Sequence, residues 1–413
     1  MYYYFQDGNV YCALRNDLAL PRVPAPQEKV PLTFLFSAPP EERRCTFAAA
    51  DPRQLTAAEG VEWLDSRRIP GEAPALSRRL EETIRRRELR AVNYRHPFWK
   101  RALLVTGRKT EKLRLHLLAV GDVGSTMLLG LKLLGGGVLE TIGISDLDPK
   151  VMQRWEFELN QVVLPGDPCA LPQVEPVEQD RLFDCDVFVF AASKGVPPLG
   201  QGGDVRMAQF EANRGLVSQF ARQARAAGFR GLFAVVSDPV DPLCKAAYLA
   251  SNQDGEGRFD GRGLLPEQIQ GYGLGVMNGR AAYYAAKDPR FASYLTEGRA
   301  FGPHGEGLVI ANSVERYDDA LSQELTELTK TANLKLRELG FKPYVAPALS
   351  SAALSLLATV RGEWHYGSVF LGGVYFGVRN RYTAAGQETE SLELPETLFR
   401  RLEKTWKDLK KII

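Results

Sequence analysis

The chain has 413 residues, 52 Lys and Arg against 50 Asp and Glu, a formal net charge of +2, and 45% hydrophobic residues, which is the composition of a globular protein of two or three domains. No apolar run reaches the length of a membrane span, because Asp122, Lys132, Glu140, Arg361 and Glu363 interrupt the longest stretches, and the N-terminus has neither the basic segment nor the apolar core of a secretory signal. Five cysteines without a CxxC pair and four dispersed histidines argue against a disulfide framework or a structural zinc site, so a cytoplasmic protein without metal is expected.

In chain order, short strands are predicted at Tyr2 to Phe5, Val10 to Leu14, Leu32 to Phe36 and Cys45 to Ala49, separated by Pro-rich segments. Thr56 and Glu59 stand in capping-box spacing before Val61, Trp63 and Leu64, which predicts a helix. A second helix is predicted from Ser77 to Ala91, with Leu80, Ile84 and either Glu88 or Leu89 inward. Its arginines (78, 79, 85, 86, 87 and 90) interleave with Glu81, Glu82 and Glu88, so the face reads as solvated and not as a nucleic-acid surface. Residues 1–112 hold 20 Lys and Arg against 14 Asp and Glu, while the rest of the chain is net acidic, which places a domain boundary near 112.

From Leu113 the pattern alternates. Strands are predicted at Leu113 to Val120, Thr141 to Ser145, Val187 to Ala191 and Leu232 to Val236, with helices at Ser125 to Leu134 and Ala208 to Ala227. This succession builds a doubly wound parallel α/β sheet. Residues 252–263 read as a mobile, Gly-rich polar insertion, Val369 to Val378 as a strand, and Leu398 to Ile413 as an amphipathic helix.

Where the first of these strands ends, Ala119-Val120-Gly121-Asp122-Val123-Gly124 leads into an apolar helix. A strand, a glycine turn and a helix N-terminus let a pyrophosphate approach backbone amides, although alanine replaces the first glycine of the fingerprint. Asp146 ends the next predicted strand, 22 residues after Gly124. A carboxylate there can accept from both ribose hydroxyls and repels a 2′-phosphate, which favours NAD over NADP.

Further motifs follow in order: Phe188-Val189-Phe190-Ala191-Ala192-Ser193; Arg206 seven residues before Asn213; Val236-Ser237-Asp238-Pro239-Val240-Asp241; Gly271-Tyr272-Gly273 with Met277-Asn278-Gly279-Arg280; and Gly302-Pro303-His304-Gly305-Glu306. Taken together they resemble the lactate/malate dehydrogenase family over residues 113–413. The resemblance implies a Rossmann NAD-binding domain (113–248) and an α/β substrate domain (249–413), preceded by an α+β domain (1–112) without counterpart in the family. It implies that Arg280 clamps a substrate carboxylate, Arg206 polarises the reacting bond from a closing loop, and His304 exchanges the proton. Cofactor contacts are implied at Gly121, Val123, Gly124, Asp146, Ala191, Asn213 and Asp238, and a pocket hydroxyl at Ser350 or Ser351, either of which could instead cap a helix. Gly200 or Gln201 occupies the family's specificity position, and family members assemble as homodimers or homotetramers. His116 reads as a core residue, and His96 and His365 carry no motif.

Two departures stand out. Met277 replaces the aspartate that orients the family's histidine, and Asp238 replaces an asparagine beside substrate and nicotinamide. If Asp238 lies near His304, the carboxylate has moved from one wall of the pocket to another. A carboxylate there also disfavours an anionic substrate and would suit a cation such as an amine or imine. The expectation is an NAD-dependent oxidoreductase acting on a 2-hydroxy/2-oxo acid or a related carboxylate. The alternative is an inactive relative that binds NAD(H) as a sensor or structural ligand.

Overall fold

The computed structural model describes residues 1–26, 30–103, 111–194 and 205–413, with backbone alone for 205–208. The chain begins with β1 (Tyr2–Gln6), β2 (Asn9–Ala13), β3 (Arg22–Val23), β4 (Leu32–Phe36), β5 (Thr46–Ala48) and β6 (Arg90–Asn93), which form one sheet in the order β3-β1-β2-β4-β6-β5. Asp7 and Gly8, both at positive φ (50° and 77°), close the β1–β2 hairpin, since a tight turn of that hand matches the strand twist.

The connection from β5 to β6 differs from the sequence reading. The capping box lies at Asp51 and Gln54, on a 3₁₀ turn at Pro52–Leu55, and not at Thr56 and Glu59. Val61–Leu64 is a second 3₁₀ turn, and Glu59 is buried against Arg44 at 2.7 Å. Helix α1 spans only Arg78–Arg85, capped by Ser77, because Arg87 turns left-handed (φ 63°) and the chain then enters β6. A short α2 (Trp99–Ala102) follows.

The second sheet begins with β7 (Leu113–Leu118), α3 (Asp122–Leu134), β8 (Leu139–Ser145), α4 (Pro149–Leu159), β9 (Gln173–Pro176) and β10 (Val187–Phe190). It continues through α5 (Val205–Ala226), β11 (Leu232–Val235), α6 (Val240–Ser251), β12 (Ile269–Gly271) and α7 (Leu274–Ala285). Next come α8 (Tyr294–Glu297), a small antiparallel pair, β13 (Arg299–Phe301) and β14 (Val309–Ala311), and α9 (Asp319–Glu338). A π-helical turn (Pro347–Leu354) runs into α10 (Ser355–Arg361), followed by β15 (His365–Leu371), β16 (Val374–Thr383), β17 (Gly386–Thr389) and α11 (Glu396–Leu409). The predicted strand at Val369 to Val378 is thus a hairpin that turns at Gly372 and Gly373, both at positive φ.

The sheet order is β17-β16-β15-β12-β11-β10-β7-β8-β9. Its six parallel strands, β9-β8-β7-β10-β11-β12, follow the 3-2-1-4-5-6 order of a doubly wound dinucleotide fold, and β15 to β17 extend it antiparallel. Layers on both faces explain the nearly unbroken apolar runs such as Val187–Phe190, every residue of which is buried. Met127, Leu128 and Leu131 of α3 pack with Leu356 and Leu357 of α10 on one face. Phe220 of α5 and Leu243 of α6 pack with Phe188 and Phe190 on the other.

The two sheets share a core, in which Phe47, Trp63 and Leu64 meet Leu371, Phe376, Leu398 and Leu402. Buried Glu267, just before β12, accepts the backbone amides of Cys45 (3.0 Å) and Thr46 (2.9 Å), and burial raises its pKa to about 7. Residues 252–263 are held in place: Asp260 pairs with Arg225 at 2.6 Å, and buried Asn252 accepts the Gly263 amide. No helix among the described residues is long and apolar enough to cross a membrane.

Candidate active site at the carboxyl edge of the parallel sheet

Every candidate position following β7, β8, β10, β11 and β12 lies at the carboxyl end of its parallel strand, where doubly wound folds bind ligands. At the β7–α3 turn, Ala119 takes the conformation that the missing glycine would supply, with φ 72°. Gly124 is obligatory, since an added Cβ would lie 2.0 Å from the Ala119 carbonyl. Gly121 caps α3, and a Cβ there would meet nothing within 4 Å, so space lies open before the helix amides. Val123 is half-buried in the first helical turn and Ala191 half-buried beyond β10.

Asp146 stands beside this turn and accepts the Val120 amide at 2.9 Å. Asp122 puts a carboxylate in the first turn of α3, where a diphosphate would approach, and Lys342 pairs with it at 2.8 Å. The open helix end, the close-packed Gly124 and the neighbouring Asp146 fit a dinucleotide. Asn213 does not fit the cofactor contact expected of it. Its amide is spent on the protein, accepting from the Lys194 amide at 3.0 Å and donating to the Asp238 carbonyl at 2.9 Å. It ties the β10 and β11 ends together, a role that sequence spacing does not reveal.

The catalytic candidates converge from three elements. Asp238 follows β11, Arg280 lies on α7, and His304 lies on the loop between β13 and β14. His304 Nδ1 is 2.9 Å from Asp238 Oδ1. An ionised carboxylate can only accept, so the proton of this bond sits on Nδ1, leaving Nε2 as the nitrogen that exchanges a proton. Gly273 at the start of α7 permits the approach of the loop, because a Cβ there would come within 3.0 Å of His304 Cβ.

Met277 is buried among apolar neighbours, and its Sδ lies 4.0 Å from Arg280 Nη1, too long and too weak to anchor the guanidinium. Burial lowers the Arg280 pKa, and the charge of Asp238 acts in the opposite sense. Hydrogen bonding separates the two serines. Ser351 is buried, accepting from the Val276 amide (2.7 Å) and donating to the Gly273 carbonyl (2.8 Å), so it fixes the start of α7. Ser350 Oγ lies 3.7 Å from where a Cβ on Gly279 would stand, next to Arg280. Arg206 falls within α5 by its backbone, but its side chain, like Gly200 and Gln201, lies outside the described residues.

One participant was missed from the sequence. Asp241, in the first turn of α6, is fully buried, and burial raises its pKa to about 6 against the opposing hydrogen bond of Ser368, with His304 and Asp238 both near enough to act on it by charge. Its place in the motif with Asp238 was visible, but its burial was not. The remaining histidines are structural. His116 Nδ1 meets the Leu182 carbonyl, His96 Nδ1 accepts the Phe98 amide, and His365 Nε2 meets Gln270 and Thr359.

These features define a protein of the doubly wound α/β class with a hydrogen-bonded histidine and carboxylate at the carboxyl edge of its sheet. Comparison with known proteins gives the same class. No family model matches the chain. An L-lactate dehydrogenase of Mesomycoplasma hyopneumoniae (strain 232) is 23% identical over 206 residues, 49% of this chain and 58% of that protein, so the chain spans little more than half the length of this curated relative. Among solved structures, a lactate dehydrogenase from a Medee basin deep-sea metagenome library superposes with a TM-score of 0.60 at 17% identity, covering 73% of this chain and 98% of that one. A malate dehydrogenase of Archaeoglobus fulgidus in complex with NADH gives a TM-score of 0.55 at 18% identity, covering 72% and 98%. The chain is thus similar in sequence to this L-lactate dehydrogenase over about half its length and shares the fold of these lactate and malate dehydrogenases, with about a quarter of its length unmatched by the two structures.

Proposed function

We propose that the protein is an NAD(H)-dependent oxidoreductase that interconverts a 2-hydroxy acid and a 2-oxo acid, or a closely related carboxylate. The observation that carries this reading is the 2.9 Å bond between His304 and Asp238, a pair in which the motif's histidine meets a carboxylate at a position that departs from the family pattern. Bound NAD(H) would take or supply the hydride. Asp146 and the turn at Gly121, Val123 and Gly124 would hold it, with Ala191 and Asp238 at the inner edge. A complex of the related malate dehydrogenase with NADH supports the choice of cofactor.

The chain's own groups then divide the work. Arg280 holds the substrate carboxylate, Ser350 lines the pocket beside it, and Arg206, assigned by its spacing from Asn213, stabilises charge on the reacting oxygen. His304 Nε2 gives a proton to that oxygen on reduction and removes it on oxidation. Asp238 fixes the tautomer and stabilises the imidazolium. Because the Asp238 carboxylate is turned to His304, it has a hydrogen-bond donor within the protein, and a cationic substrate is not needed to supply one. We further infer three functional divisions, 1–112, 113–248 and 249–413, and a homodimer or homotetramer.

The test is NADH oxidation against a panel of 2-oxo acids, with and without amines, using His304→Ala as control. Turnover with at least one acid that vanishes in the variant is expected. Undiminished turnover in His304→Ala, or none with any acid while NADH still binds, overturns the reading.

A further inference from the structure

The loop that carries His304 is pinned from behind. Gly302 and Gly307 both sit at positive φ (82° and 81°), and Gly302 donates its amide to the Gly377 carbonyl at 2.8 Å. A Cβ on Gly302 would stand 3.3 Å, and one on Gly307 3.1 Å, from the Thr405 methyl of α11. The Thr405 hydroxyl donates to the Gly307 carbonyl at 2.9 Å. On this outer side the loop borders a cleft of about 280 Å³ between α9 and α11, lined by Glu306, Gly307, Thr326, Lys330 and Thr405. Arg401 of α11 crosses the cleft to Ser322 of α9 at 2.7 Å, whereas the loop itself meets α9 through the Glu306–Lys330 pair, and Glu306 is 82% exposed, so that contact constrains little.

Helix α11 also packs against the N-terminal unit. Leu398, Leu402 and Leu409 share a core with Val61, Trp63 and Leu64, Arg68 pairs with Glu396, and the Arg68 guanidinium lies 4.4 Å from the centre of the Phe399 ring. Trp406 donates to the Leu371 carbonyl at 2.8 Å. One helix therefore touches both the N-terminal unit and the histidine loop, through neighbouring residues of a single stripe.

We propose that Thr405 is a positioning residue that holds the His304 loop in register with Asp238, and that the N-terminal sheet sets this position through α11. The inference rests on the role assigned to His304 above. It gives the N-terminal sheet a function, which is to fix the proton-transfer group from outside the dinucleotide fold. Proton transfer tolerates little displacement, and a misplacement of about 1 Å is enough to cost on the order of a hundredfold in rate.

The test uses the full chain with Thr405→Val, which keeps the shape and removes the hydroxyl, and Thr405→Ser, which keeps the hydroxyl. The readouts are the hydrogen-bonded Nδ1–H proton resonance of His304, assigned by its absence in His304→Ala, and the separate values of kcat, KM and the Kd for NADH. Thr405→Val is expected to shift or broaden the resonance and lower kcat by about tenfold or more with Kd unchanged, while Thr405→Ser preserves both. Leu64→Val, in the N-terminal unit where it shares a core with Leu398 and Leu402 of α11, is expected to move the resonance in the same direction by less. An unchanged resonance in Thr405→Val overturns the positioning role, and one that moves in Thr405→Val but not in Leu64→Val overturns the link to the N-terminal sheet. The resonance reports loop position whether or not a 2-oxo acid is turned over, so a silent dehydrogenase assay with a shifted resonance counts against the catalytic reading alone.

Discussion

The dinucleotide turn and the proton-transfer pocket each lack a residue that the family resemblance leads one to expect, and they absorb the loss differently. At the turn, alanine stands for glycine and the backbone keeps its path, with Ala119 held at φ 72°. The cost is local strain of about 1–2 kcal/mol, borne by one residue. In the pocket no backbone adjustment could replace a carboxylate, because the Met277 thioether is only a weak acceptor and carries no charge to stabilise an imidazolium. There the loss is met by exchange: Asp238, from a different strand end, reaches Nδ1 of His304. A conformational requirement can be met by strain at the same position, whereas a chemical one needs another residue with the right atoms.

The sharpest way to break this comparison is Asp238→Asn. Loss of the histidine's partner should lower turnover by about 10²- to 10⁴-fold while NADH binding, followed by fluorescence, survives. A fully active variant would sink the exchange. Returning the carboxylate to its other wall, with Asp238→Asn and Met277→Asp combined, should recover about tenfold or more of that loss, provided circular dichroism shows the fold intact. At the turn, Gly124→Ala should destabilise by about 3 kcal/mol and weaken NADH binding, since its methyl meets the Ala119 carbonyl at 2.0 Å. Ala119→Gly should do the reverse, raising stability by about 1 kcal/mol once the extra freedom of glycine in the unfolded chain is offset, and denaturant titration would show it.

The smallest effect concerns the contact between the sheets. The folded pKa of Glu267, about 7, lies above its ordinary 4.5 because of burial, which outweighs the two amides that favour its charge. The folded protein holds this proton more tightly than the unfolded chain. The associated stability is fully present below about pH 4.5 and is lost as pH rises through 7. Glu267→Gln should remove that decline, so the difference in Tm between the two proteins should change between pH 5 and 8. A constant difference would refute the assignment.

Much of the architecture was legible because it follows from local pattern. The apolar runs at 113–118, 187–190 and 232–235 and the glycine turn at 121–124 state a parallel sheet and a helix entry without any long-range information. The N-terminal region was less legible. The run after Ser77 reads as one long helix, yet Arg87 breaks it so that Ala91 and Val92 can pair with β4 and β5, a tertiary demand stronger than helix propensity. Asp51 rather than Thr56 became the cap, and Glu59 was taken by the buried guanidinium of Arg44.

At the site, the sequence by itself determined which groups could do chemistry: His304, Asp238 and Arg280 were picked out by the motifs that carry the family resemblance, and Asp146 by its place after the glycine turn. Tertiary structure alone decided which of them meet. Asp238 and His304 are 66 residues apart and come together only because β11 and the β13–β14 loop converge at one edge of the sheet. It also decided that Asn213 and Ser351 spend their polar atoms on the protein, that Asp241 is sealed behind the pocket, and that Thr405 backs the histidine loop. The reason is physical. A side chain's chemistry is carried by its own atoms, but its partner, its burial and therefore its charge are set by chain segments far away in sequence.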